Sequence, residues 1–245
     1  MKEHQSATIG LFKDLRGDNP LPPGKLLDAG SGKDTIAGVL RAMGFAVVSL
    51  DLYDTPKSSG GDYHLRRFIR ADLNAPLPFA DAVFDYVLCS ESLQYLDNHA
   101  LVFKEFARVL TKGGHLIISI PNVLCASSRV YFLRRGYYPS FKPVRTVDAS
   151  KGWDAAVYNP ISLVEIYAYG RRFGLEIKKV AASRFKAKNL ICFMYFLRLK
   201  ADYALGLLFE RGERKKELLK LLSSNAALLG DHLIVLMEKK TGGGR

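Results

Sequence analysis

Cysteine is scarce in this chain of 245 residues, and its pattern excludes a disulfide scaffold. The three cysteines, Cys89, Cys125 and Cys192, lie far apart and form no Cys-x-x-Cys pair. We therefore expect them to be small, reduced side chains in a cytosolic protein. The five histidines show no metal-ligand spacing either, so the sequence predicts no metal site.

Long hydrophobic runs are also missing. The N-terminal residues lack the apolar segment of a secretion signal, which favours a cytoplasmic location. No uninterrupted apolar run approaches the roughly 20 residues that a membrane-spanning helix needs. Positive charge, in contrast, is abundant: 36 Lys and Arg against 24 Asp and Glu give a formal net charge of +12. This excess indicates anionic partners or surfaces, and nucleic acid, acidic lipid headgroups and anionic metabolites all remain open.

The strongest local pattern is a glycine turn between a buried strand and a helix, at residues 28–32 (Asp-Ala-Gly-Ser-Gly). Its glycines permit a positive φ and let a ligand approach the backbone. We expect Asp34 or Thr35 to cap the following helix, whose free N–H groups then face an anionic ligand. A dinucleotide fingerprint would need a third glycine where the chain has Thr35. The pattern therefore favours the Asp-x-Gly-x-Gly form of such turns.

Acidic residues end the next strands. A continuous apolar strand ends at Asp51, at the spacing that places an acid on the hydroxyls of a ribose. Residues 72–91 then follow the order Asp-Leu-Asn-x-Pro-Leu-Pro-Phe-x-Asp-x-x-Phe-Asp-x-Val-Leu-Cys-Ser-Glu. In an open parallel sheet ligands bind beyond the carboxyl ends of the strands. Ser90 and Glu91, after the fourth strand, are therefore predicted to lie at the ligand site.

These motifs resemble the class I S-adenosylmethionine-dependent methyltransferases, in particular those with a methyltransferase type 11 domain. The resemblance implies an α/β, Rossmann-like, doubly wound sheet of seven strands, mostly parallel, with one antiparallel strand near the edge. The alternation of apolar strands and amphipathic helices supports an α/β fold independently. We expect a single domain over residues 1–245, with an acceptor-side cap at 123–159 and a helical insertion at 181–231, before the last strand.

The resemblance also implies the cofactor, S-adenosylmethionine, and the residues that bind it. Asp72 would meet the adenine amino group and Leu73 would cover the ring. The full predicted set lies at the glycine turn and the strand ends: Asp28, Ala29, Gly30, Ser31, Gly32, Asp51, Leu52, Asp72, Leu73 and Ser90. Glu91, Tyr95 and Asn122 are the catalytic candidates by location, because a hydroxyl acceptor needs a nearby proton acceptor. The family often has a histidine where this chain has Tyr95.

The sequence leaves the methyl acceptor and the oligomeric state open. The favoured hypothesis is a methyltransferase that acts on a small-molecule, glycan or lipid-linked acceptor. An RNA methyltransferase is the alternative suggested by the charge, although the chain lacks the Asn-Pro-Pro-aromatic motif typical of base-amine methylation. A non-catalytic cofactor-binding subunit is a third reading, and the intact motif argues against it.

The insertion contains a dense apolar run at residues 190–197, flanked by basic residues such as Arg184 and Arg198. We expect this segment to dock on a membrane surface or to cover a lipid-like acceptor. Packing on the protein's own sheet edge or on a second subunit is the alternative, because an apolar patch marks either kind of contact.

Overall fold

Seven strands form one sheet with helices on both of its faces. The fold comes from a computed structural model that describes residues 3–14, 23–53, 67–141, 159–184 and 193–241. The predicted features at residues 142–158 and 185–192 lie outside the described residues.

The strands are β1 (Lys25–Ala29), β2 (Ala46–Asp51), β3 (Arg67–Arg70), β4 (Phe84–Ser90), β5 (Leu110–Pro121), β6 (Leu175–Ala182) and β7 (His232–Lys239). The helices are α1 (Glu3–Asp14), α2 (Thr35–Ala42), α3 (His99–Val109), α4 (Ala126–Arg135), α5 (Leu163–Arg172), α6 (Phe193–Phe209), α7 (Glu213–Ser223) and α8 (Asn225–Leu229). A short 3-10 helix, Leu93–Tyr95, follows β4. No helix in the described ranges is both long and apolar enough to cross a membrane.

The strand order is β3-β2-β1-β4-β5-β7-β6, and β7 runs antiparallel to both of its neighbours. The predicted seven-stranded, mostly parallel sheet with one antiparallel strand near the edge is therefore confirmed. The chain moves outward from β1 to β3 and then returns to β4 beside β1. This reversal opens a crevice at the carboxyl ends of β1 and β4, where doubly wound sheets bind their ligands.

Both faces of the central strands are covered, which explains their continuous apolar sequences. Leu26 and Leu27 are neighbours in β1, and both are fully buried. Leu26 belongs to the core that α1 and α2 cover, whereas Leu27 belongs to the core under α3 and α5. Successive side chains of a strand point to opposite faces, so one short strand contributes to two cores.

Local signals in the sequence agree with two helix starts. The Asn98 side chain accepts a hydrogen bond from the Leu101 N–H at the start of α3, and Ser162 and Glu165 form the predicted capping box of α5.

Strand β5 is longer than predicted, because it begins at Leu110 instead of residue 115. The register shifts at this point: Phe84 pairs with Leu110 and Tyr86 with His115, so the residues of the predicted turn are extra residues of β5.

A buried ion pair holds the segment that leads into β4. The Glu105 carboxylate, only 6% exposed, accepts hydrogen bonds from Arg108 through both of its oxygens and from the Leu77 N–H at 2.8 Å. Arg108 also donates to the carbonyls of Leu77 and Phe79 at 3.0 and 2.7 Å. The pair therefore fixes the loop before β4 to α3. The hydrogen bonds from Arg108 hold the pKa of Glu105 below its ordinary value.

We predict that Glu105→Gln lowers the free energy of unfolding by about 1.5–3 kcal/mol, because hydrogen bonds to a buried charge are lost. The depressed pKa means that this contribution is fully present above the unfolded pKa of about 4.3 and is lost as the pH falls through the lower pKa of the folded state. Urea denaturation at pH 7 and well below the unfolded pKa measures both effects. Glu213→Gln, at an exposed carboxylate on α7, is the matched control and should leave the midpoint nearly unchanged. Equal midpoints for the two variants at pH 7 would contradict the assignment.

Candidate functional site

Hydrogen bonds tie the glycine turn to the end of β2. The Gly30 and Ser31 N–H groups donate to the carbonyl of Leu50 at 2.8 and 3.0 Å. The Gly32 N–H donates to Oδ2 of Asp51 at 2.8 Å. Both glycines have the positive φ values, +80° and +49°, that the sequence predicts. The turn is therefore fixed to the acidic residue predicted to meet the ribose.

The two glycines serve different purposes. A Cβ on Gly30 would collide with Ser92, whose own Cβ would lie 2.6 Å away. No heavy atom of the described residues lies within 4 Å of the position that a Cβ on Gly32 would take. Between them, the Ser31 hydroxyl is buried and has no hydrogen-bond partner in the described part of the chain. An open approach to the backbone beside an unsatisfied polar atom fits a polar ligand at this turn.

The helix cap is confirmed in position but not in its hydrogen bond. Asp34 is the N-cap residue of α2, but its side chain makes no capping hydrogen bond, and Thr35 is the first residue of the helix. The buried Asp34 carboxylate instead forms an ion pair with Arg41 at 2.6 Å and accepts a hydrogen bond from Ser49. Asp34 adopts φ +57°, which turns its side chain toward β2. Because the Asp34 carboxylate pairs with Arg41, it does not occupy the backbone N–H groups at the start of α2. These groups can therefore donate hydrogen bonds to a ligand.

The other predicted cofactor residues lie around this turn. Asp28 and Ala29 are buried at the end of β1, and Leu73 is buried within 3.7 Å of the Cβ position on Gly30. Leu52 is exposed beyond β2. The Asp72 carboxylate accepts a hydrogen bond from the Asn74 N–H at 2.8 Å, which orders the loop after β3. The structure thus brings the predicted residues of the first three strands to one edge of the sheet, and their contact with a cofactor stays a prediction.

Glu91 lies at the end of β4 in a left-handed conformation with φ +58°, after the half-buried Ser90. Its N–H donates to the Ser119 carbonyl at 2.9 Å, and the Ser119 hydroxyl donates to its Oε1 at 2.8 Å. Its Oε2 lies 3.5 Å from Nε2 of His232, the first residue of β7. Non-glycine residues adopt this conformation at a cost, and such strain concentrates at functional sites. The carboxylate is therefore held in place beside an imidazole.

The two other catalytic candidates differ from Glu91. Tyr95 ends the short 3-10 helix and is half-buried, with its N–H donating to the Ser92 carbonyl. Asn122 is only 4% exposed. Its Nδ2 donates to the carbonyls of Ala227 and Gly230, both at 2.9 Å, and its Oδ1 accepts from the Leu124 N–H. These bonds join the end of β5 to the α8 turn, so the contacts of Asn122 are structural and do not support a role in proton transfer.

Sequence reasoning missed the histidines at the site. His232 contacts Glu91, and the ring of His4 on α1 lies 5.2 Å from the ring of His232. No spacing in the sequence could show this cluster, because the antiparallel return of β7 and the packing of α1 bring the two histidines together.

Comparisons with known proteins show which proteins the chain resembles. Residues 27–118 match the family model of a methyltransferase domain. A malonyl-[acyl-carrier protein] O-methyltransferase from Erwinia pyrifoliae is 32% identical over 114 residues, 44% of this chain and 40% of that protein. A ubiquinone biosynthesis O-methyltransferase from Pseudomonas entomophila is 24% identical over 188 residues, 69% of this chain and 76% of that protein. An S-adenosylmethionine-dependent methyltransferase from Mesorhizobium loti has a TM-score of 0.56 and 17% identity, covering 97% of this chain and 98% of that one.

Residues 27–118 therefore match a methyltransferase domain, and a solved S-adenosylmethionine-dependent methyltransferase shares the fold of the chain. The match with the Erwinia relative spans less than half of that protein. The predicted family, fold and cofactor are confirmed.

We predict that Asp51→Ala weakens S-adenosylhomocysteine binding roughly ten- to hundredfold, because a charged hydrogen-bond acceptor contributes about 1.5–3 kcal/mol. Isothermal titration calorimetry measures the change, and thermal melting checks that the fold is kept. Asp202→Ala removes a carboxylate on α6, away from the turn, and should leave the affinity unchanged. NADH should not bind the intact protein. Unchanged S-adenosylhomocysteine affinity in Asp51→Ala would show that the acid does not face the cofactor.

Proposed function

We propose that this protein transfers a methyl group from S-adenosylmethionine to a hydroxyl oxygen of a small-molecule, glycan or lipid-linked acceptor. The observation that supports this most directly is the pair of Glu91 and His232, which lies at the strand ends beside the glycine turn. The cofactor supplies a methyl group on a cationic sulfonium; the acceptor oxygen forms the new C–O bond while the C–S electron pair stays with sulfur, leaving S-adenosylhomocysteine. The hydroxyl proton must pass to a base.

Glu91 is suited to take that proton. Ser119 holds one carboxylate oxygen, and the other lies 3.5 Å from His232, so the carboxylate has a defined direction. Positioned proton acceptors typically contribute about 10²–10⁴-fold in rate. Holding the acceptor in line with the methyl group supplies a larger share, up to roughly 7–11 kcal/mol. Methyl transfer also requires a binding site for the acceptor.

A cavity of about 160 Å³ lies beyond the end of β5, and neither Glu91 nor His232 lines it. Asp231, the residue before His232, forms part of its wall. Its aromatic and small polar lining comes mainly from α4 and the turn after it: Cys125, Ser127, Ser128, Tyr131, Tyr138 and Phe141. Ligand pockets usually measure about 300–1,000 Å³, so this cavity suits one ring or one end of an acceptor. It supports the predicted acceptor-side cap at residues 123–159.

Both curated relatives described above are O-methyltransferases by name, and their acceptors are attached to a carrier protein or belong to the formation of a lipid-like quinone. These names favour oxygen as the methylated atom and a carrier-linked or lipid-like acceptor.

We predict that Glu91→Gln lowers methyl transfer about 10²–10⁴-fold while S-adenosylhomocysteine affinity changes little, because the proton acceptor is lost and the turn is kept. Radiolabelled S-adenosylmethionine and lysate separated into RNA, lipid and small-molecule fractions provide the assay. Gln94→Ala, which removes a weak 3.4 Å contact to the same carboxylate, is the control and should retain most of the activity.

Label that enters RNA would overturn the acceptor class in favour of the RNA methyltransferase reading. Cofactor binding without transfer to any fraction would instead favour the non-catalytic subunit.

Helix α6 supports contact with a lipid surface. One face packs on the protein, where Leu199 is buried in a small cluster with Ala126 and Leu228. The opposite face presents an exposed apolar stripe at helical spacing: Met194, Leu197, Ala201, Leu205 and Leu208. The predicted apolar run thus continues into a surface that the described residues leave uncovered. Phe196, in contrast, packs on the buried cluster, and the side chain of Phe193 lies outside the described structure.

The charge of the same region favours an anionic surface as the occupant. Residues 193–223 contain seven basic and four acidic side chains, a net charge of +3. Exposed Arg198 lies beside the stripe, and exposed Arg211 and Arg214 lie at its end. A basic-flanked apolar face can lie in the headgroup interface, where each nearby Lys or Arg adds about 1 kcal/mol. We therefore propose that α6 docks on anionic lipid.

We predict that the protein pellets with phosphatidylglycerol vesicles at low salt and is released at high salt, because both charge and apolar burial contribute. Leu208→Asp with Phe209→Asp, at side chains 77% and 80% exposed, should abolish pelleting without unfolding the protein. Val164→Asp adds charge at an exposed apolar position on α5 and should not affect binding. If the intact protein stays in the supernatant at low salt, α6 covers another partner, and a second copy of the chain would then be sought by sedimentation.

A further inference from the structure

We propose that His4, Glu91 and His232 form a binding site for a divalent transition-metal ion, with Zn²⁺ as the fitting ion. One ligand atom from each residue can be chosen so that all three lie within 4.8 Å of one another. The three residues come from α1, the end of β4 and the start of β7, so the folded chain alone assembles the group. All three side chains are partly buried, which limits competition from water without closing the site.

The distances suit a small ion. Nε2 of His232 lies 3.5 Å from Oε2 of Glu91. Ligand atoms at about 2.0–2.1 Å from a tetrahedral zinc ion lie roughly 3.4 Å from each other. The ring of His4 lies 5.2 Å from the ring of His232 at an angle of 30°, and a ligand nitrogen of His4 lies within 4.8 Å of the other two ligand atoms.

Neighbouring polar groups orient these ligands. The Ser119 hydroxyl holds Oε1 of Glu91 and directs Oε2 toward the histidines. The Asp231 carboxylate lies 3.6 Å from Nδ1 of His232, on the side of the ring away from Glu91. Metal-binding histidines commonly have a carboxylate on their second nitrogen, which fixes the ring and raises its basicity.

An ion-pair chain also fixes α1 at this point. Arg184 contacts Asp231 at 3.4 Å and Glu3, next to His4, at 2.6 Å. The apolar side chains of α1, including Ile9 and Phe12, are buried against the sheet and α2. His4 is therefore held beside β7 by both charge and packing.

The ligand set selects the kind of ion. Two imidazoles and one carboxylate suit zinc and related transition metals, whereas Mg²⁺ and Ca²⁺ prefer oxygen ligands. Three protein ligands leave a coordination position open, as in catalytic zinc sites. A hydroxyl bound there would have a lowered pKa and would release its proton to solvent water near neutral pH, so with the ion bound Glu91 would act as a ligand and not as the proton acceptor. This role rests on the proposed function, since it activates the acceptor beside the cofactor; the binding of the ion does not.

The test is a titration of the metal-free full-length chain with Zn²⁺ by calorimetry and with Co²⁺ by visible absorption. We expect one ion per chain, a Co²⁺ spectrum typical of low coordination number, and no competition from Mg²⁺. His4→Gln and His232→Gln should each weaken binding at least about tenfold, and Asp231→Asn should weaken it by about tenfold or more through its effect on His232. His115→Gln replaces a half-buried histidine stacked on Tyr86 and should leave binding unchanged.

S-adenosylhomocysteine titration and the methyl-transfer assay on the same samples separate this inference from the proposed function. Metal removal by a chelator should lower methyl transfer at least tenfold with unchanged S-adenosylhomocysteine affinity. Zinc binding that is equal in His4→Gln, His232→Gln and the His115 control would overturn the site, even if methyl transfer is found. Full activity after metal removal would overturn the catalytic role of the ion.

Discussion

The site depends on the hydrogen bonds between the glycine turn and the end of β2. Leu50 accepts from Gly30 and Ser31, and Asp51 accepts from Gly32, so the turn cannot move independently of the second strand. The parallel register of β1 and β2 places the turn after β1 beside the end of β2, where these hydrogen bonds form. The carboxylate that orders the turn is also the one predicted to bind the ribose, so we expect cofactor binding and local folding to depend on the same residue.

The antiparallel strand β7 has an equally direct effect on chemistry. Its insertion between β5 and β6 places His232 opposite Pro121, at the carboxyl end of β5 and near Glu91. Helix α1 then adds His4. Strand β7 and helix α1 thus bring two imidazoles to Glu91, the group for which we propose roles in proton transfer and ion binding. Asn122, in turn, fixes the chain just before β7.

The sequence predicted what short-range patterns determine. The sheet, the glycine turn and the position of Asp51 at the end of β2 follow from apolar strands and acids at their ends, whereas the hydrogen bond from Gly32 to Asp51 is visible only in the structure. The capping hydrogen bond of Asp34 does not form because Arg41 and Ser49, which pair with it, meet it only in the folded chain. The cluster of His4, Glu91 and His232 joins residues from both ends of the chain, so no local pattern reports it. The acceptor was beyond prediction from the sequence, because the cavity proposed to receive it is formed by the packing of α4 beyond β5.

A crystal structure of the protein with S-adenosylhomocysteine tests the central claim most directly. The account predicts that the ligand lies across the carboxyl ends of β1 and β4, with its amino-acid part at residues 30–32 and its ribose hydroxyls on Asp51. Its sulfur should face the side of the crevice where Glu91 lies. A ligand bound elsewhere, or one whose ribose does not contact Asp51, would contradict the account.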